Sequence, residues 1–226
     1  MEETKSKRMP ANMEPIPGSV LRKQEWLGFK VLLKSLGWVR AMGLGLTMKR
    51  RLSSGAPWGR LDPSADVRED WSRAQVGPAI VLYQLLKENS HPEPLNLMRE
   101  VVVTGAVPWM KWAIGTIEPD AYREMSDVER DGWFKGKSQR FLNMRMKSHA
   151  TGEEHVQFEV EACSFPSLCQ RTNVPELASV FCAVDAHYFG GVQQGIALTR
   201  PTTIAGGDSG CSFHLAWDDV QASRKE

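Results

Sequence analysis

Apolar positions in the first half of the chain recur every three to four residues. In SVLRKQEWLGFKVLLKSLGWVRAMG, residues 19–43, Leu21, Trp26, Phe29, Leu32, Leu33 and Leu36 keep this spacing with lysines and arginines between them, which predicts an amphipathic helix. The glycines and prolines of RRLSSGAPWGRLDPS then interrupt it. A second helix is predicted through ADVREDWSRAQVGPAIVLYQLLKENS, bent or restarted at Pro78, which lacks a backbone donor. EPLNLMREVVVTGAVPWMKWAIG predicts a third, running to about Ile114.

The period changes near residue 139. Phe141, Asn143, Arg145 and Lys147 alternate with Leu142, Met144 and Met146, and beyond the polar TGEE the residues Val156, Phe158 and Val160 alternate with Gln157, Glu159 and Glu161. Alternation on both sides of a polar turn predicts a β-hairpin. NVPELASVFCAVDAHYF predicts a helix capped by Asn173, with a proline near its first turn and Glu176 at the third position. GIALTRPTTIAGGDSGCSFHLAW predicts two more strands joined by a glycine turn. The layout is α+β: a helical N-terminal half packed on a C-terminal antiparallel sheet with one inserted helix. It divides into a lead-in over 1–18 and a single domain over 19–226, helical to about 137 and sheet from about 138 to 218.

Composition adds exclusions. Of the 226 residues, 42% are hydrophobic and 24% charged, with a formal net charge of +1, so no overall imbalance argues for nucleic acid or an acidic membrane surface. The opening MEETKSKRMPANMEPIPGS has no apolar stretch of the kind a signal peptide needs. The most apolar run, VVVTGAVPWM, is far short of the roughly 20 residues that span a bilayer. A cytoplasmic protein is expected, with its four cysteines reduced, a small-molecule partner, and a Trp- and Met-rich helical half that could serve as a homodimer face.

Gly207-Asp208-Ser209-Gly210 carries the letters that surround a chymotrypsin-type nucleophile. That mechanism needs a histidine base and an orienting carboxylate, and His149, His155 and His187 have no matching context. The tetrad reads better as a turn demanding positive φ. Cys163, Cys169, Cys182 and Cys211 form no CxxC pair, so zinc-ribbon spacing is absent. Cys163 ends the second hairpin strand, Cys182 lies mid-helix and Cys211 begins the last strand, positions that can converge at one end of a sheet; Cys169 is placed in a loop. Asp185, three residues after Cys182, shares its helix face. Trp109, Trp112 and Trp133 are core or the lining of an apolar pocket.

Cys163, the Pro175-Glu176-Leu177 run, Cys182, Asp185, Thr203, Gly207, Asp208, Cys211 and Phe213 together resemble the L-2-amino-thiazoline-4-carboxylic acid hydrolase family over about 55 residues. More distantly, the same ending is similar to 4-vinyl reductase-type small-molecule-binding domains, some of which hold zinc with cysteines; Thr202-Thr203-Ile204 stands where those commonly carry a further cysteine. The first resemblance implies hydrolysis of a C–N or C–S bond in a small cyclic amidine. Cys182 or Cys163 would be the nucleophile, with Cys211 beside them, and Asp185 and Asp208 would carry protons. Arg200 would anchor the substrate carboxylate, with Thr203 and His187 nearby. If Cys163, Cys182 and Cys211 instead hold zinc, the metal would activate water. A ring-opening or ring-closing biosynthetic step on a bulkier apolar substrate, and capture without turnover, are the alternatives.

Overall fold

The computed structural model describes residues 15–217; most of the expected lead-in lies outside them. The single helix expected over 19–43 is two, α1 (Gly18–Leu36) and α2 (Trp38–Ser53). Gly37 separates them at φ 75°, a left-handed conformation that side chains with a Cβ disfavour. α3 (Val67–Glu88) begins at Asp66, whose carboxylate accepts from the Glu69 N–H at 2.8 Å, and it runs unbroken through Pro78. α4 (Pro94–Ile114) likewise continues through Pro108. Short α5 (Pro119–Arg123) and α6 (Asp127–Ser138) follow, the latter opened by a capping box between Ser126 and Glu129.

The hairpin forms where alternation places it, as β1 (Met144–Thr151) and β2 (His155–Cys163). Between β2 and the third strand lie α7 (Ser164–Arg171) as well as α8 (Ala178–His187), where one helix was expected. Pro175–Leu177 forms a 3-10 turn into α8, and Tyr188–Val192 a π turn out of it. Asn173 is not the cap: it takes φ 60° just after α7. Glu176 instead accepts from Tyr83 Oη at 2.8 Å and Lys87 Nζ at 3.1 Å, pinning the entry of α8 to α3. β3 (Ile196–Thr199) and β4 (Cys211–Trp217) complete an antiparallel sheet in the order β1-β2-β4-β3.

Two apolar clusters hold these layers. Ile80, Leu86, Met98, Leu168, Leu177 and Val180 join α3, α4, α7 and the start of α8. Met110, Tyr122, Phe134, Val156, Ile196 and Trp217 join α4, α5 and α6 to the sheet. Trp109 and Trp133 belong to the margin of the second cluster, edge-on to Phe141 at 5.1 Å and Tyr122 at 5.4 Å; they are core. Burial of these side chains is the main driving force for the arrangement.

Register then fixes where the chemistry lies. Val160 of β2 pairs with Cys211 of β4, and Cys163 ends β2 three residues further on. The segment following β3 returns past this end of the sheet, and α8 carries Cys182 and Asp185 to the same place.

Candidate functional site around Asp185 and Arg200

α8 presents Cys182 and Asp185 one turn apart. Arg200, the first residue after β3, donates from Nη1 to Asp185 Oδ2 at 2.6 Å and from Nη2 to the Cys182 carbonyl at 2.8 Å. These bonds use two of the five N–H donors of a guanidinium. The Arg200 guanidinium also lies 5.1 Å from the centre of the Phe213 ring, which in turn stacks on Phe158 at 4.5 Å. An aromatic face below and a carboxylate beside it fix the plane of the guanidinium.

Burial pushes the Asp185 carboxyl up to about 6, although Arg200 pulls it down by charge and by hydrogen bonding. A carboxyl in that range exchanges its proton readily near neutral pH. The pair is not sealed: the Asp185 and Arg200 side chains retain 24% and 12% of their exposure, so water reaches them.

The thiols gather around this pair but are not activated by it. Cys163, Cys182 and Cys211 each feel the others or Asp185 electrostatically. Burial drives the Cys182 thiol up to about 12, against the pull of Arg200. Burial likewise raises Cys163 and Cys211, outweighing the N–H groups that bond their sulfurs: Asn143 Nδ2 at 3.7 Å from Cys163 Sγ, and the Ile204 amide at 3.2 Å from Cys211 Sγ. A thiolate nucleophile requires the opposite shift. Cys169, expected in a loop, is buried on α7, its thiol raised to about 12. Among the described residues no group of three or more His, Cys, Asp or Glu side chains is arranged to hold a metal ion.

The remaining expected residues take other places. His187 ends α8 in an exposed position two residues beyond Asp185, on a different face. Asp208 is exposed; its carboxylate accepts from the Thr203 N–H at 2.7 Å, and Thr203 Oγ1 accepts from the Gly206 N–H at 3.1 Å. Both residues build the turn into β4. Gly207 takes φ 102°, and a Cβ on Gly210 would meet the Val160 carbonyl oxygen at 2.9 Å. The GDSG tetrad is therefore a turn plus a close approach of two strands.

A cleft of about 350 Å³ opens beside Cys163. Its walls include Arg68 and Glu69 of α3, Asn143 before β1, Cys163, and Ser167 and Arg171 of α7, but not Cys182, Asp185, Arg200 or Cys211. Arg171 donates to Glu69 at 2.7 Å across 102 positions of sequence. Sequence reasoning misses this cleft because no local spacing signals a pair so distant. Phe213 as the bed for Arg200 is missed for the same reason.

No curated protein matches the chain. Among solved structures it is similar to an H-NOX protein from S. oneidensis in the Fe(II)NO ligation state, at 9% identity and a TM-score of 0.37, over 88% of this chain and 98% of the other. It is also similar to an oxygen-binding H-NOX domain related to soluble guanylate cyclases, at 11% identity and a TM-score of 0.31, over 85% and 92%. Residues 73–215, which run from within α3 to within β4 and include every residue of the Asp185–Arg200 site, match the family described as L-2-amino-thiazoline-4-carboxylic acid hydrolase; the chain belongs to that family.

Proposed function

We propose that the protein hydrolyses a C–N or C–S bond in a small heterocyclic acid of the cyclic amidine type, with Asp185 as the proton-transfer group and Arg200 as the anchor for the substrate carboxylate. The observation that carries this reading is the 2.6 Å Arg200–Asp185 contact, made where burial holds the carboxyl near neutrality yet water can enter. The ionised Asp185 takes a proton from water as the water oxygen bonds to the amidine carbon. The resulting tetrahedral carbon then loses ring sulfur or ring nitrogen, and the Asp185 carboxyl returns its proton to that leaving atom. Cys163, Cys182 and Cys211 enter as neutral thiols shaping the surroundings, not as nucleophiles. Ring closure would use the same groups in reverse.

Steady-state hydrolysis of 2-amino-thiazoline-4-carboxylate tests the reading. Asp185→Asn should lower kcat by about a hundredfold or more, and Arg200→Lys should act mainly through KM by losing planar recognition of a carboxylate. Turnover by Asp185→Asn within threefold of the parent would overturn it. A second reading, capture without turnover, is favoured by a cleft that the Asp185–Arg200 pair does not line. Calorimetric binding of the same acid by a protein that never consumes it would decide for that reading.

A further inference from the structure

We propose that α1 and α2 form a docking face for an anionic lipid surface. Of the seven large apolar side chains exposed among the described residues, all but Val128 lie on these two helices. On α2, Trp38, Val39, Met42 and Leu46 stand outward, with Val39 83% and Leu46 66% exposed. Val39, Met42, Leu46 and Arg50 recur at spacings of three to four residues and so form one crest. On α1, exposed Trp26 is flanked one turn either side by exposed Arg22 and Lys30.

Charge singles out the occupant. Residues 18–53 carry eight lysines and arginines against one acid, Glu25, a net of +7 in a chain of net +1; the remainder carries −6. Arg51 is taken up by Glu88 of α3, but Lys49 and Arg50 on α2 and Arg22 and Lys30 on α1 remain exposed, and a second copy seated on the same face would set like charge against like charge. Nucleic acid would satisfy the cations but offers no apolar phase to the aliphatic Val39, Met42 and Leu46 crest. A groove that engulfs an amphipathic helix would need the whole apolar stripe, whereas Ala41, Leu44 and Met48 on the opposite side of α2 are already packed into the core. A bilayer surface asks only for a crest: phosphates for Lys49 and Arg50, and the headgroup boundary for Trp38, Val39 and Leu46. No helix among the described residues is long and apolar enough to cross a membrane, so the attachment is peripheral. Averaging of charge over the whole chain conceals this asymmetry.

The full chain should co-sediment with phosphatidylcholine vesicles containing phosphatidylglycerol, with a blue shift of tryptophan emission, and should stay in solution with phosphatidylcholine alone or in high salt. Each cation near an anionic surface is worth roughly fivefold, so Lys49→Gln with Arg50→Gln should weaken binding by about 25-fold. Val39→Ser with Leu46→Ser should remove the blue shift. All four positions are solvent-facing or peripheral, and unchanged thermal melting of both double variants shows that the fold survives. Absence of binding to the anionic vesicles overturns the proposal. So does a dimer in sedimentation velocity that Val39→Ser with Leu46→Ser returns to monomer, or vesicle binding untouched by either double variant.

Discussion

The carboxylate of Asp185 and the guanidinium of Arg200 lie 2.6 Å apart although they arrive from different elements, one in the last turn of α8 and the other just past β3. The sheet order sets this: β4 sits between β2 and β3, so the chain leaving β3 must pass the end of the sheet where Cys211 and Cys163 lie. The pair is thus a product of topology, and its chemistry of burial.

If Asp185 is the base, kcat/KM should rise with pH and level off above about 6, where burial places this carboxyl. Arg200 lowers the value through charge and a hydrogen bond. Arg200→Gln removes the charge, the larger of the two, so the inflection should move to higher pH. A pH–rate profile of the two proteins checks this, and an unmoved inflection would separate Asp185 from the observed titration.

Thiols held protonated should be poor nucleophiles. With Cys182 raised to about 12 and Cys163 and Cys211 also raised, iodoacetamide at pH 7.5 should label the folded protein far more slowly than the unfolded chain. Cys182→Ser should keep kcat within about tenfold of the parent, since hydroxyl and neutral thiol fill similar space. A loss of more than about a thousandfold would restore a thiolate mechanism.

In GDSG the glycine matters and the serine does not. A Cβ on Gly210 would press on the Val160 carbonyl, a backbone atom held in the β2–β4 ladder. Gly210→Ala should cost about 1–3 kcal/mol, seen as a lower Tm in calorimetry. Ser209 is exposed, and Ser209→Ala should leave stability within about 0.5 kcal/mol and turnover unchanged.

Periodicity made α3, α4 and the hairpin legible, because each buries one face and repeats it over many residues. The break at Gly37 was hidden because the apolar spacing continues across it. α7 was hidden because SFPSLCQR is short and carries a proline. Of the site, Cys163, Cys182, Cys211, Asp185 and Arg200 were named from sequence and do gather. The direction of the thiol shifts was not readable, since desolvation depends on neighbours brought in from α8, β2 and β4 together. Asp208 and Thr203 share the same motif as Cys211, yet their side chains turn to their own backbone instead.

Glu69 offers a test of the cleft wall by acid. Burial alone would raise its carboxyl, but the Ala65 N–H, Arg73 and Arg171 outweigh burial and hold it down at about 2. Its side chain is only 17% exposed and receives Arg73 and Arg171, each at 2.7 Å. In the unfolded chain the same carboxyl titrates near 4.3. Between these values the unfolded state binds more protons, so stability falls as pH drops from above 4 towards 2. The stabilisation that Glu69 supplies is present at neutral pH and disappears across this window. Asp185 works the other way: raised to about 6, it favours the folded state at low pH and loses that advantage as pH rises from about 4 to 6. Urea unfolding of Glu69→Gln should therefore show a deficit at pH 7 that narrows as both proteins are taken to pH 2.5. A deficit of equal size at both pH values would mean that packing, and not the charge held between Arg73 and Arg171, is what Glu69 supplies.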